Sequence, residues 1–412
     1  MSTHTYNFGA GPAKIPQSVL KRAQEELLNY DNTGMSVMEL SHRSKPFGEI
    51  LNRTKSNLTK LMNIPDNYEI LFMQGGATTQ FAAVFYNLIA AKQKELSKTK
   101  DNSPIVVDYI VTGAWSSKAA DEAQRLAESV KGNPIVVNRV VDTKKAAGAY
   151  DRITPESTWS LTDPAKNHVA YVYYCDNETV HGVEFQSVPK VNPSVPLVTD
   201  VSSNFLSRPI DVNKYGLIYG GAQKNLGPAG VSLVIVRKDL IVDLSVGPLR
   251  PLMLDFDTLA KNESMYNTPP TFAIYMVGLM LEWLLEHGGL TEIAKKNEKK
   301  ANKLYDALDS SKLFSAPVQK EARSKMNVVF KLPKELEAEF FKGAEERRMV
   351  QLKGHRSVGK VFRYHVRLIR WLIVVLYVLG GARASIYNAM PEEEVDVLVA
   401  YLEQFEKEHP TI

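Results

Sequence analysis

Apolar positions along the first two-thirds of the chain alternate between two patterns. SVLKRAQEELLNY (18–30) and FGEILNRTKSNLTKLM (47–62) space them as on one face of a helix. YEILFMQGG (68–76) is instead a continuous apolar run ending in glycines, which predicts a buried strand, and TTQFAAVFYNLIAA (78–91) returns to helical spacing. The alternation continues through the strand IVVDYIVTG and the helix SSKAADEAQRLAESV. The apolar runs VAYVYYCDN, PLVTDVSS, YGLIYGG and VSLVIVRK follow, each bounded by turn residues. Continuously apolar strands interleaved with helices predict an α/β fold with a mostly parallel sheet covered on both faces.

From Thr271 the pattern changes. FAIYMVGLMLEWLLEHGG and TEIAKKNEKKANKLYDALDSS predict two long helices. A strand (KMNVVFKL), a helix (ELEAEFFKGAEERR), a last strand (ARASIYNA) and a closing helix (PEEEVDVLVAYLEQFEKEH) complete the chain. The expected organisation is an N-terminal arm over 1–16, a large domain over 17–270 and a smaller α+β domain over 271–412, with no internal repeat.

Composition narrows the function classes. With 44% hydrophobic and 23% charged residues the chain should fold throughout. Cys175 is the only cysteine, so neither an intramolecular disulfide nor a cysteine-based metal cluster can form. The N-terminal segment MSTHTYNFGAGPAKIP has no apolar signal core, and a cytoplasmic enzyme is expected. The net charge of +4 equals the contribution of Lys360, Arg363, Arg367 and Arg370, so the rest of the chain is neutral and nucleic acid is not an expected partner.

Open α/β sheets bind ligands at the carboxyl ends of their strands. QGGATT lies at such an end and opens a helix, where backbone N–H groups and the helix dipole can hold a phosphate; alone it reads as a tight turn. Asp200 ends the strand of PLVTD, and Lys224 follows 24 residues later in GGAQKNLGPAG, between two buried strands where an ammonium is hard to solvate. Desolvation lowers a lysine pKa and makes the amine nucleophilic. A lysine for the aldehyde and a carboxylate for the pyridine nitrogen are what pyridoxal 5'-phosphate (PLP) requires. Trp115 in TGAWSSK can stack on such a ring or serve as an ordinary core residue.

GGAQKNLGPAG, DVSSNFLSRP, YCDNETVHG, NFGAGPAKIP, ELSHRS, YNTPPT and GHRSVG…ARASIYNA together resemble the phosphoserine aminotransferase family of the class V aminotransferases, in order, from about Tyr6 to the final helix. The resemblance implies the PLP-dependent transferase fold type I, like aspartate aminotransferase. It implies transfer of an amino group from glutamate to 3-phosphohydroxypyruvate, giving O-phosphoserine and 2-oxoglutarate in L-serine biosynthesis. By the same resemblance Lys224 is the Schiff-base lysine and the base for the α-proton. Asp200 pairs with the pyridine nitrogen, Trp115 stacks on the ring and Thr179 bonds the phenolic oxygen. Ala77, Thr78 and Gln223 help to hold the phosphate, and Asn267 and Thr268 reach the phosphate of a neighbouring subunit, implying a homodimer with shared active sites. His42, Arg43, His355, Arg356 and Arg383 are the candidates for the anionic substrate, since arginine forks suit carboxylate and phosphate. Some relatives carry an arginine where this chain has Thr78, so any phosphate contact there is weaker. No metal site is expected.

One departure stands out. The family reads GHRSVGG and then RAS, whereas here Lys360 to Gly380 intervene, and removing these 21 residues restores GHRSVGGARAS. The uninterrupted apolar stretch, Trp371 to Leu379, is too short to span a bilayer. We read the segment as translated intron rather than as a surface insertion. Gly-Lys encoded GGT AAG carries a donor-like GTAAG, and Leu-Gly encoded CTA GGN carries an acceptor-like TAG. A transcript that retains these codons would overturn that reading. If the segment persists in the protein, a PLP-binding chain inactivated by it is the alternative to catalysis, alongside another class V activity of the alanine–glyoxylate type. Deletion of Lys360 to Gly380 is expected to preserve or improve turnover.

Overall fold

The computed structural model describes residues 4–98, 101–130, 134–354 and 381–410. The chain opens with a short strand β1 (Tyr6–Asn7) and helices α1 (Gln17–Glu26) and α2 (Lys45–Met62). Start and stop signals for α2 are local: the Ser44 hydroxyl accepts from the Phe47 N–H, and Asn63 ends the helix in the left-handed region. Then come β2 (Tyr68–Gln74), α3 (Ala77–Leu96), β3 (Ile105–Val111), α4 (Ala114–Ala127), β4 (Ile135–Asp142) and the short α5 (Thr143–Ala147). β5 (His168–Cys175) runs into a tight hairpin, β6 (Asn177–Glu178) with β7 (Val183–Glu184), before β8 (Leu197–Asp200), β9 (Leu217–Gly221) and β10 (Val231–Arg237).

Seven of these strands form one sheet in the order β2-β10-β9-β8-β5-β3-β4. β10 runs against both its neighbours, and every other pairing in the sheet is parallel. Both faces are covered, which is why the strands are continuously apolar. Along β2, Ile70 and Phe72 enter a core with α1, α2 and α7 (Thr271–Glu286), while Leu71 and Met73 enter the opposite core with α3, α4 and α6 (Phe256–Lys261). β4 was not legible as a strand: it is an edge strand whose Asn138 and Arg139 interrupt its apolar run.

A further core joins Phe8 to α8 (Gly289–Ser310), β11 (Asn327–Phe330), α9 (Lys334–Glu346), β12 (Met349–Val350), β13 (Ala382–Ser385) and α10 (Glu392–Glu408). β11 pairs antiparallel with β13, and β1 pairs parallel with β12, so the expected N-terminal arm is tied to this unit. The packing also departs from the expected boundary at 271. Ile274, Met276, Leu281 and Leu284 of α7 belong to the first core with α2, so the two units meet within α8. Leu290 and Ile293 of α8 pack with the large unit, and Ala301 and Leu304 with the small one. Helical periodicity shows that a helix has an apolar face but not which neighbour covers it. Among the described residues, no helix is long and apolar enough to cross a membrane.

Candidate active site

The loops leaving the carboxyl ends of β2, β5, β8 and β9 converge, with the start of α4, on a cavity of about 470 Å³. Ala10 and Gly11 of the arm and Arg383 of β13 complete its wall, so the small unit closes a site built by the large one.

Lys224 stands in the turn after β9. Its Nζ donates to Thr179 Oγ1 at 2.7 Å and lies 5.3 Å from the centre of the Trp115 ring. Burial pushes the amine pKa down, and Arg383 adds to this, while Asp200 opposes it. Gly11, at φ +132°, lets the arm pass close: a Cβ there would sit 3.2 Å from Lys224 Cγ.

Asp200, at the end of the neighbouring strand β8, is buried. The Ser202 N–H (2.8 Å) and hydroxyl (2.6 Å) donate to its Oδ1, and the Tyr219 hydroxyl donates to Oδ2 at 3.1 Å. Burial raises its pKa, and these donors and Lys224 work against that rise. Cys175, at the end of β5, also lines the cavity, but burial pushes its thiol well up and keeps it protonated.

Trp115 is positioned from a distance. Glu178, on the hairpin strand β6, accepts from the Trp115 N–H (2.9 Å), the Ser116 N–H (2.8 Å) and the Ser116 hydroxyl (2.6 Å). Its carboxylate thus caps the N-terminus of α4 from 62 residues away in sequence. Gly113 leaves room for it, since a Cβ there would lie 2.3 Å from Glu178 Cδ. The Trp115 Nε1 is buried and has no hydrogen-bond partner among the described residues.

Arg383 is largely buried on β13, opposite Val329 of β11. Among the described residues its Nη1 donates to the Thr179 carbonyl, at 3.3 Å, and its buried Nε has no partner. Burial lowers its pKa, and its charge faces the cavity rather than a carboxylate. Beside it, Asn177 links the hairpin to the small unit: its Nδ2 donates to Ser203 Oγ and to Asn327 Oδ1, both at 2.9 Å.

Of the residues singled out in the sequence, Ala77, Thr78, Trp115, Thr179, Asp200, Gln223, Lys224 and Arg383 are gathered around this cavity. Asn267 and Thr268 are not among its lining; they sit exposed beside the end of β2, where Gln74 Nε2 donates to Asn267 Oδ1 (3.3 Å) and to the Thr268 carbonyl (2.8 Å). His42 and Arg43 precede α2, also outside the cavity. His355, Arg356 and the segment 360–380 lie outside the described residues. Glu178, Asn177, Ser202 and Tyr219 were missed by sequence reasoning. Glu178 lies one residue before Thr179 in DNETV, yet nothing local shows that it caps a remote helix.

The sequence profile of the family described as Aminotransferase class-V matches residues 5–398. Phosphoserine aminotransferase 2, chloroplastic, from Arabidopsis thaliana is 47% identical over 406 residues, covering 98% of this chain and 85% of that protein. Among solved structures, phosphoserine aminotransferase from Bacillus circulans subsp. alkalophilus superposes with a TM-score of 0.84 at 40% identity, covering 99% of this chain and 100% of its own. PLP-bound phosphoserine aminotransferase from Trichomonas vaginalis superposes with a TM-score of 0.83 at 40% identity, covering 97% and 100%.

Proposed function

The chain belongs to the class V aminotransferases, and from that premise we propose that it transfers the amino group of glutamate to 3-phosphohydroxypyruvate, yielding 2-oxoglutarate and O-phosphoserine for L-serine biosynthesis. The observation that carries this reading is one cavity that receives a desolvated amine, Lys224, and a buried carboxylate, Asp200, from adjacent strands. The residues present fit PLP. An amine, a carboxylate and an aromatic face meet at one place, and α3 opens toward it with no side-chain cap on its first N–H groups.

In this reading Lys224 anchors the cofactor aldehyde, Asp200 faces the ring nitrogen, Trp115 covers the ring and Thr179 bonds its phenolic oxygen. Gln223 and the start of α3, at Ala77 and Thr78, hold the phosphate. When bound, PLP supplies a ring that takes up the electrons left when the Cα–H bond of an amino acid breaks. Lys224 Nζ takes that α-proton and gives it back; burial, which lowers its pKa, favours the neutral amine this needs. Asp200 keeps the ring nitrogen protonated. Thr179 holds Nζ in place through the 2.7 Å hydrogen bond. Arg383 binds a substrate carboxylate, for which its guanidinium is already desolvated, with an Nε that has no partner among the described residues. His42, Arg43, His355 and Arg356 complete recognition of the second anionic group.

A homodimer with shared sites is part of the proposal. Asn267, Thr268, His42 and Arg43 do not line their own chain's cavity, and near them in sequence Met38 (59%) and Tyr266 (45%) are exposed. We place the enzyme in the cytoplasm, with small-molecule substrates and neither nucleic acid nor membrane as partner.

The test is turnover of glutamate with 3-phosphohydroxypyruvate, pyruvate and glyoxylate as competing acceptors. The phosphorylated acceptor should dominate, and a preference for glyoxylate or pyruvate would overturn the substrate assignment. Borohydride trapping and peptide mass mapping should place the cofactor on Lys224.

A further inference from the structure

Against Asp200 stands a line of buried phenols that are not among the cavity lining. Tyr219 of β9 is the ladder partner of Asp200 and is fully buried, as is Tyr173 of β5 within 1%. The Tyr219 hydroxyl lies 3.1 Å from Asp200 Oδ2, and the Tyr173 hydroxyl lies 2.8 Å from that of Tyr219. A phenol has one hydrogen, and an ionised carboxylate only accepts. Tyr219 therefore gives its hydrogen to Asp200, and Tyr173 must give its own to Tyr219. With Asp200 ionised, the relay thus runs from Tyr173 through Tyr219 to Asp200.

Asp200 and a bound pyridine ring compete for one proton. A carboxyl this deeply buried would by desolvation alone take the proton. Oδ1 is served by Ser202, and on Oδ2 the opposing influence is the Tyr219 hydroxyl. We propose that Tyr219, backed by Tyr173, is a positioning residue that keeps Asp200 ionised, so that the shared proton stays on the ring nitrogen of PLP. This rests on the assignment of Asp200 above and adds residues that touch neither substrate nor cofactor. Lys224, Cys175, Glu178 and, through Tyr173, Tyr109 also act electrostatically on Asp200 or its relay. Burial pushes both phenols well above their usual range, which favours the protonated, donating form. Both relay members are apolar-strand tyrosines whose rings a phenylalanine would fill equally well, which isolates the hydroxyl as the functional part.

Holoenzyme loaded with PLP carrying 15N at the ring nitrogen reports the proton directly through its solid-state chemical shift across a pH series. Wild type should show a protonated nitrogen. Tyr219→Phe should move the shift toward neutral pyridine and weaken PLP binding on the order of tenfold to a hundredfold, the range for one hydrogen bond to a charged group. Tyr173→Phe should move it less, in the same direction, and supplies the test should Tyr219→Phe not fold. Tyr171→Phe removes a hydroxyl bonded to that of Tyr109 (2.7 Å), whose ring packs on Tyr173 at 4.9 Å between centroids; Tyr171 is equally buried in the same sheet but bonds neither relay hydroxyl, and its loss should leave the nitrogen unchanged. A wild-type shift in both relay variants, or an equal shift in Tyr171→Phe, overturns the proposal. Asp200→Asn separates the two levels. If it neutralises the nitrogen and Tyr219→Phe does not, only the relay fails; if it leaves the nitrogen protonated, the assignment of Asp200 itself fails.

Discussion

Glu178 offers the sharpest test of how the fold holds the site. Glu178→Ala removes the acceptor for the Trp115 and Ser116 N–H groups and for the Ser116 hydroxyl. Loss of a helix N-cap costs about 1 kcal/mol. Stripping a buried N–H of its partner adds roughly 1–3 kcal/mol, and Ser116 is fully buried. Desolvation of the carboxylate, which raises its pKa, offsets part of this. The expected net loss is about 2–4 kcal/mol, read by denaturant unfolding of the coenzyme-free protein. Glu178→Gln should lose about half as much, because its amide nitrogen must face one of the N–H donors that an oxygen now accepts from. Gly113→Ala should reproduce the effect, since its Cβ would displace the carboxylate. In a double-mutant cycle the second change should then cost far less than it does alone. In the holoprotein, all three variants should alter the circular dichroism of bound coenzyme, because α4 carries Trp115. Stability of Glu178→Ala within about 0.5 kcal/mol of wild type, the scale of a neutral surface change, would refute the reasoning, as would full additivity with Gly113→Ala.

Other consequences follow from the same geometry. Because burial lowers the Lys224 pKa, capture of the coenzyme aldehyde by coenzyme-free protein should gain speed with rising pH at values below those of an ordinary lysine; Asp200→Asn should shift that rise to lower pH and Arg383→Met to higher pH, as stopped-flow absorbance would show. The Gly354 N–H donates to the Gly381 carbonyl at 2.9 Å and Lys353 bridges to Ala382, so the chain on either side of 355–380 is already joined. Deletion of Lys360 to Gly380 should therefore leave a closable connection and preserve or raise turnover; a folded deletion variant without activity would count against it. Lys300, buried on α8, donates to the carbonyls of Ile386 (3.1 Å), Tyr387 (2.8 Å) and Met390 (3.0 Å). Lys300→Met should cost about 2–4 kcal/mol by removing the donor to the Ile386 and Met390 oxygens, while the Tyr387 carbonyl keeps the Met390 N–H at 2.9 Å; a loss below about 1 kcal/mol in urea unfolding would show that those oxygens find other partners.

Most long helices and central strands, the covered sheet and the placing of Asp200 and Lys224 at strand ends could be read from the chain, because each rests on spacing between near neighbours; the edge strand β4 and the short elements could not. Periodicity reports a local face, and a glycine-bounded strand end reports a loop; family motifs then attach chemistry to those loops. The reversed β10, the insertion of β10 between β2 and β9, and the assignment of α7 to the large core were settled only in three dimensions. So were the cap from Glu178, the Tyr173–Tyr219–Asp200 line and the buried guanidinium of Arg383 in the cavity wall. Each joins residues far apart in sequence, whose meeting depends on how whole elements pack and on which polar groups remain without another partner once water has been excluded. No local pattern carries that information.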